Sequence, residues 1–172
     1  DYIFYASRID QMKRQRLLVE AAGYTETAVK FIIAGSGSQK ELDYINAYIE
    51  KYSLKDKVKL VGFISEEEKI NYYANCLAVY FGAYDEDYGY ITLEGFFAHK
   101  PVIVHPDAGG PLEFVEDEKN GFIVNQDARA LAEKIDELYL DRKKAQVLGE
   151  EAYTSLSQKH IDWDFVIEKL LK

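Results

Sequence analysis

Six short apolar runs, separated by stretches of helical period, restrict the possible folds of this chain more than any other feature. They lie at residues 2–6, 29–34, 58–61, 77–81, 101–104 and 122–124. Their length suits strands rather than helices, and Gly, Pro, Ser and Asp bound them. Between them the apolar residues recur three and four apart: Leu17, Leu18, Ala21 and Ala22, then Leu42, Ile45 and Ile49, then Ile70 and Tyr73. Further helices are predicted over 128–139 and 144–156. Such alternation predicts an α/β domain, a doubly wound, mainly parallel sheet of six strands with its ligand crevice at the strands' carboxyl ends. The 172 residues suffice for one domain with a sizeable core.

Charge narrows the chemistry. The formal net charge is −9 and the pI about 4.9, the opposite of the basic surface that non-specific nucleic-acid binding requires. No nucleic-acid partner is therefore expected, and an anionic ligand must meet locally placed cations. Cys76 is the single cysteine, which leaves no internal disulfide and suits a reducing compartment. No apolar run approaches the length of a membrane span, and the start has no signal-like character; a cytoplasmic protein is expected. Asp1 runs almost directly into the first strand, as in a fragment cut at a domain boundary.

The stretch richest in chemistry is Asp85-Glu86-Asp87-Tyr88-Gly89-Tyr90-Ile91-Thr92-Leu93-Glu94. It follows the fourth apolar run and opens a short helix ending at about Ala98. That places an acidic loop at the carboxyl end of a strand, with free helix amides beside it, a setting for anions. With the helix starting near Gly89, Glu94 lies roughly 8 Å along the axis at 1.5 Å per residue, while Glu86 precedes the first turn. The two are too far apart for the close carboxylate pair, about 5 Å, of a retaining glycosidase. They suit the two ends of one elongated ligand, with hydroxyls at Glu86 and Glu94 and phosphate at the amides of Tyr88, Gly89, Tyr90 and Ile91. The alternative is that Asp85, Glu86 and Asp87 cap the helix and complement its dipole. By propensity the helix is poor: Ile91 and Thr92 are β-branched, and Gly95 costs about 1 kcal/mol relative to alanine. Packing or a ligand must hold it, with Gly95 admitting another backbone.

Four cations, Arg8, Lys13, Arg14 and Arg16, crowd the turn after the first strand. A cation near a helix start is disfavoured by a few tenths to about 1 kcal/mol, a sign that bound phosphate reverses. Arg14 and Arg16 read as solvated, and surface charge is the alternative for all four. Gly35-Ser36-Gly37 follows the second run, but Lys40 stands where a dinucleotide fingerprint needs its third glycine. A nicotinamide-cofactor domain is thereby disfavoured, and a tight turn explains the glycines equally. Ser65 and Glu68 have capping-box spacing. Gly109-Gly110 follows the fifth run and suits close backbone approach to a ligand; Glu113 is either a ligand contact or a helix-turn carboxylate. His105 stands near the predicted cleft, where it could assist chemistry, although a lone histidine is more often structural. His99 and His160 read as solvated. Residues 161–171, with Trp163, Phe165 and Leu171, have amphipathic helical spacing.

Glu86 and Glu94 with seven residues between them, Tyr88-Gly89 inside and Pro101-Val102-Ile103 after, resemble the E-x7-E signature of retaining glycosyltransferases of family four. The likeness covers nearly the whole chain and is to the second, donor-binding domain of those enzymes: one half of a GT-B fold, in which two Rossmann-like domains face each other across a cleft. Ser7-Arg8-Ile9-Asp10-Gln11-Met12-Lys13 is similar to the segment in which an arginine and a lysine hold the donor diphosphate, which implies that role in catalysis for Arg8 and Lys13. By the same resemblance Glu86 orients the donor sugar and Glu94 holds ribose hydroxyls. Gly62-Phe63-Ile64 matches the segment beside the nucleotide base, contacted largely through backbone. Gly35 and Gly37 match a glycine pair near the donor, and Gly109, Gly110 and Glu113 a G-G-x-x-E element. The family usually has alanine where Gly95 stands. The implied activity is retaining hexosyl transfer from a nucleotide-diphosphate sugar, a substrate rather than a cofactor, without a metal ion. An N-terminal domain outside this chain is implied to supply the acceptor surface, a seat for the last helix and any peripheral membrane association. Polysaccharide or glycolipid assembly is the implied setting. The competing reading is a non-catalytic nucleotide-binding or interaction module.

Overall fold

The structure, a computed structural model, describes residues 1–159. Strands β1 (Tyr2–Ala6), β2 (Lys30–Ala34), β3 (Val58–Gly62), β4 (Ala78–Tyr80), β5 (Val102–Val104) and β6 (Gly121–Ile123) form one sheet in the order β3-β2-β1-β4-β5-β6. Every pairing is parallel, so among the described residues the sheet is wholly rather than mainly parallel. The helices are α1 (Gln15–Tyr24), α2 (Gln39–Lys51), α3 (Glu66–Asn75), α4 (Tyr90–Phe97), α5 (Ala128–Leu140) and α6 (Arg142–Ser157). The chain builds outward from β1 to β3, then returns to lay β4 on the other side of β1. The strand order reverses there, and a doubly wound sheet opens its crevice at that point, outside the carboxyl ends.

Strands buried on both faces lose polar alternation. Ile3, Phe4 and Tyr5 of β1 and all of β4 and β5 are buried. Helix α1 packs against α2 and α5, and α4 against α6. Phe4 stacks on Tyr72 at 5.1 Å and meets Tyr73 edge-on at 5.0 Å, which seats α3. The capping box at Ser65 and Glu68 forms as its spacing predicts. Glycine at 95 lets α4 lie directly on the sheet: a Cβ there would stand 2.9 Å from Val102 Cγ2 and 3.1 Å from Val79 Cγ2. The close neighbours are therefore strand side chains, not the backbone expected from sequence, and this contact holds a helix of poor propensity in place.

Several local expectations change. Ile70 faces outward and is 65% exposed, because the α3 stripe that reaches the sheet runs through Tyr73. Arg14 and Arg16 are not solvated charges: Arg14 forms a two-pronged pair with Asp107, and Arg16 pairs with Glu41 at 2.7 Å and lies over the Tyr44 ring. His99 is exposed, as expected, and also stacks on Tyr153 at 4.0 Å and meets Glu150 at 3.0 Å. The predicted helix over 161–171, with Trp163, Phe165 and Leu171, lies outside the described residues, as does His160. No helix among the described residues is long and apolar enough to cross a membrane.

Candidate functional site

The predicted site residues all follow the carboxyl ends of strands, on one edge of the sheet. Arg8 and Lys13 come after β1, Gly35 and Gly37 after β2, Gly62, Phe63 and Ile64 at and after β3, Glu86 to Glu94 after β4, and Gly109, Gly110 and Glu113 after β5. They gather in two groups.

The first group lies at the switch between β1 and β4. A short 3₁₀ turn, Gln11–Lys13, interrupts the path from β1 to α1. Asp10 caps it, its carboxylate accepting from the amides of Met12 and Lys13, and Tyr5 Oη donates to the Lys13 carbonyl at 2.7 Å. The Lys13 ammonium meets the Glu86 carboxylate. Both side chains are mostly covered, 20% and 30% exposed, so the ion pair is sheltered yet open to a ligand. Glu86 is fixed from behind by backbone: its amide donates to the Ala108 carbonyl at 2.9 Å, and its carbonyl accepts from the Gly110 amide at 2.7 Å. A Cβ at Gly109 would stand 2.7 Å from the Glu86 carbonyl oxygen, and one at Gly110 would collide with the Asp87 carbonyl. The close approach that demands these glycines is thus to the acidic loop itself, rather than the approach to a ligand inferred from sequence. Glu113 is exposed at the end of the following 3₁₀ turn.

The acidic loop does not cap α4. The capping position is Gly89, at φ 62°, and no side chain bonds the helix amides. Gly89 has no room for a side chain, since a Cβ would stand 2.5 Å from Pro111 Cγ. Tyr88 and Tyr90 flank it, exposed and stacked on each other at 5.6 Å. The Thr92 amide donates to the Gly89 carbonyl at 2.8 Å, and the amides of Tyr90 and Ile91 are left for solvent or an anion, in keeping with the anion-site layout.

The second group lines a crevice of about 330 Å³ between the loops after β1, β2 and β3, with Arg8, Gly35, Phe63, Ile64 and Lys69 on its walls. Arg8 is 76% exposed and paired with Asp10 at 2.8 Å; it is not gathered on the Lys13–Glu86 pair. Gly35 and Gly37 serve the loops: a Cβ at either would collide with or crowd the backbone carbonyl of Ser7 or Ile9, so close approach of the loop after β1, rather than a tight turn of their own, accounts for both. Gly62 stands at φ 72° in open space, and Phe63 is 86% exposed beside it.

Lys69 connects this crevice to Glu94. Its ammonium lies 2.9 Å from Glu94 Oε1, and Tyr73 Oη donates to Glu94 Oε2 at 2.7 Å. Burial alone pulls the Lys69 ammonium down, but its bonds to Glu94 and Glu66 outweigh that and hold it above its ordinary value. Burial first, and then the Glu94 charge, push the Tyr73 hydroxyl well above the usual tyrosine range. Glu94 therefore carries one protein donor on each oxygen and keeps acceptor capacity for further hydroxyls, since a carboxylate offers about four lone-pair sites.

His105 has no access to the crevice. It is completely buried, with Nδ1 at 2.7 Å from the Val124 carbonyl and Nε2 at 2.8 Å from Tyr80 Oη. A carbonyl only accepts, so Nδ1 carries the proton and Nε2 accepts from Tyr80; the ring is a structural tie.

Sequence reasoning missed Tyr5, Arg14, Gln15, Lys69, Tyr73 and Asp107. Gln15 Nε2 donates to the Arg8 carbonyl at 2.9 Å and was detectable as a polar residue on an apolar helix face. Tyr5 was detectable as a hydroxyl inside a buried strand. Arg14 stood in the cation cluster but read as solvated, and Asp107 carried no sequence signal.

Residues 1–155 match the family model described as glycosyl transferases group 1. Poly(ribitol-phosphate) alpha-N-acetylglucosaminyltransferase of Staphylococcus aureus is 31% identical over 175 aligned positions, which cover 97% of this chain and 34% of that protein. Among solved structures, a mutant of S. aureus TarM, in a complex that includes UDP, superposes with a TM-score of 0.89 at 29% identity, covering 99% of this chain and 34% of that one. Anabaena Alr3699/HepE with UDP-glucose superposes at 0.84 and 26% identity, covering 91% and 44%. The chain thus spans about a third of the length of the first curated relative it matches.

Proposed function

The chain belongs to the glycosyl transferases group 1 family, and on that premise we propose that it is the donor-binding half of a GT-B enzyme that transfers a hexosyl group, with retention, from a nucleotide-diphosphate sugar. The observation that carries the reading is the Lys13–Glu86 pair, set on a backbone floor at the switch point beside the uncapped start of α4. Similar proteins with UDP or UDP-glucose bound support the class of ligand.

The difficult step in such a transfer is departure of the nucleoside diphosphate, on which negative charge grows. Fixed donors aimed at that charge lower the barrier, as in an oxyanion hole. Lys13 supplies an ammonium and the first turn of α4 supplies amides. Arg8, exposed and paired only with Asp10 among the described residues, folds over the phosphates from the neighbouring crevice. These groups do the work that a metal ion does elsewhere. Three acids ahead of α4 oppose a diphosphate, and the Lys13 contact offsets one of them in the free protein. When the donor binds, Lys13 turns its charge to phosphate, and Glu86 becomes free to accept hydroxyls of the sugar and orient it. Glu94, held by Lys69 and Tyr73, accepts ribose hydroxyls, and the loop Gly62-Phe63-Ile64 lies along the base.

The relatives' greater length supports a second domain that supplies the acceptor surface and any peripheral contact with a membrane, in an enzyme working in the cytoplasm on polysaccharide or glycolipid. The test is calorimetry of UDP, GDP and ADP sugars on the complete protein. One nucleotide is expected to bind, and Lys13→Ala to weaken it about 10- to 100-fold, the value of one hydrogen bond to a charged group at about 1.5–3 kcal/mol. Unchanged affinity in Lys13→Ala overturns the assignment. Nuclear magnetic resonance of the product's anomeric proton tests retention.

A further inference from the structure

Lys13 is followed by a residue in an unusual state. Arg14 stands at φ 54°, ψ 33°, the left-handed region that non-glycine residues enter at a cost and keep only where their surroundings over-determine it. Here the surroundings are specific. Arg14 Nη1 and Nη2 donate to the two oxygens of Asp107 at 2.8 and 2.6 Å. The guanidinium also faces the Tyr84 ring at 5.5 Å, and its side chain is only 20% exposed. This planar fork against a carboxylate is the most directional ion pair available to a protein.

The pair crosses the switch point. Arg14 belongs to the turn after β1, and Asp107 to the loop after β5. The Asp107 carbonyl accepts from the Asp85 amide at 2.9 Å, so one residue grips the basic turn with its side chain and the acidic loop with its backbone. The Tyr84 amide donates to the Met12 carbonyl at 3.0 Å, one residue before Lys13. Lys13 and Glu86, on either side of the reversal, are thus brought to one another by a frame that includes the Arg14–Asp107 fork.

We propose that Arg14 and Asp107 are positioning residues for donor binding: their forked ion pair straps the two halves of the sheet together and sets the Lys13 ammonium against the diphosphate. The proposal rests on the donor-site reading above, but neither residue itself touches the donor.

Arg14→Gly separates the strap from the strain. Glycine adopts the left-handed conformation freely, so the variant loses the fork while shedding an unfavourable backbone state, and its thermal midpoint is expected to stay close to that of the parent. UDP and GDP are titrated by calorimetry, to millimolar concentration, into the complete protein. Arg14→Gly and Asp107→Asn are each expected to weaken the nucleotide that binds about tenfold, with the double variant no weaker than either single. Arg14→Lys, which keeps the charge without the fork, should recover only part. The decisive arm places Arg14→Gly in a Lys13→Ala background, where it should cost less than twofold, because the strap acts through Lys13. An equal tenfold loss in both backgrounds overturns the proposal, as does unchanged affinity in both Arg14→Gly and Asp107→Asn while Lys13→Ala binds weakly. If Lys13→Ala alone has no effect, the donor-site reading fails first and the strap fails with it.

Discussion

Replacing Tyr80 with phenylalanine isolates one buried hydrogen bond and decides what His105 is for. Tyr80 is fully buried in β4, and its hydroxyl is the donor to His105 Nε2 at 2.8 Å. The substitution removes one oxygen and nearly preserves shape, so little cavity cost arises. It leaves Nε2 as a buried acceptor with no donor. A buried polar group so orphaned costs about 1–3 kcal/mol, and each kcal/mol moves the midpoint of a domain this size by about 2–4 °C. Thermal unfolding of Tyr80→Phe is therefore expected to fall by about 2–12 °C, while nucleotide affinity measured below the transition stays at the parental value. An unchanged midpoint refutes the donor–acceptor assignment. A lost turnover with an unchanged midpoint refutes the structural role and returns His105 to the chemistry. The same ring gives a pH signature. Burial holds the folded-state imidazole below its ordinary value of 6.5, so between those two values the unfolded chain binds a proton that the folded one does not. Stability is thus full above about pH 6.5 and declines as pH falls below it. Tyr80 and Val124 hold the neutral ring.

Gly149→Ala should destabilise the protein even though alanine is the better helix former. A Cβ there would collide with the His99 carbonyl oxygen, and overpacking of about 1–3 kcal/mol exceeds or cancels the propensity gain of about 1 kcal/mol; denaturant unfolding showing stabilisation would refute the close α4–α6 contact. Ser65→Ala removes the side-chain acceptor of the Glu68 amide and the partner in the capping box, for an expected loss of about 1 kcal/mol by the same measurement, with nucleotide affinity nearly unchanged.

The strands and their parallel arrangement were legible because a strand buried on both faces must be apolar throughout, as β1, β4 and β5 are. The E-x7-E spacing, together with the resemblance it carries, located the acidic loop and α4. What escaped were pairings between distant segments. Nothing near Arg14 indicates that a partner lies 93 positions later, and nothing near Ile70 indicates which α3 face meets the sheet. Gly109 and Gly110 were read as points of close approach to a ligand, and Gly35 and Gly37 as a tight turn or a glycine pair near the donor, but what approaches all four is this chain's own backbone, a three-dimensional fact with no local signature.

That seam of main chain against main chain has an evolutionary consequence. The foundation of the cleft is laid without side chains, so it is insensitive to most substitutions outside the four glycines that permit it. The groups overhanging it, among them Phe63, Tyr88 and Tyr90, are exposed and carry little of the packing. On the proposed donor-site reading, ligand preference and foldability are therefore separable: a descendant can exchange one nucleotide or sugar for another by altering the overhang, and keep the masonry beneath untouched.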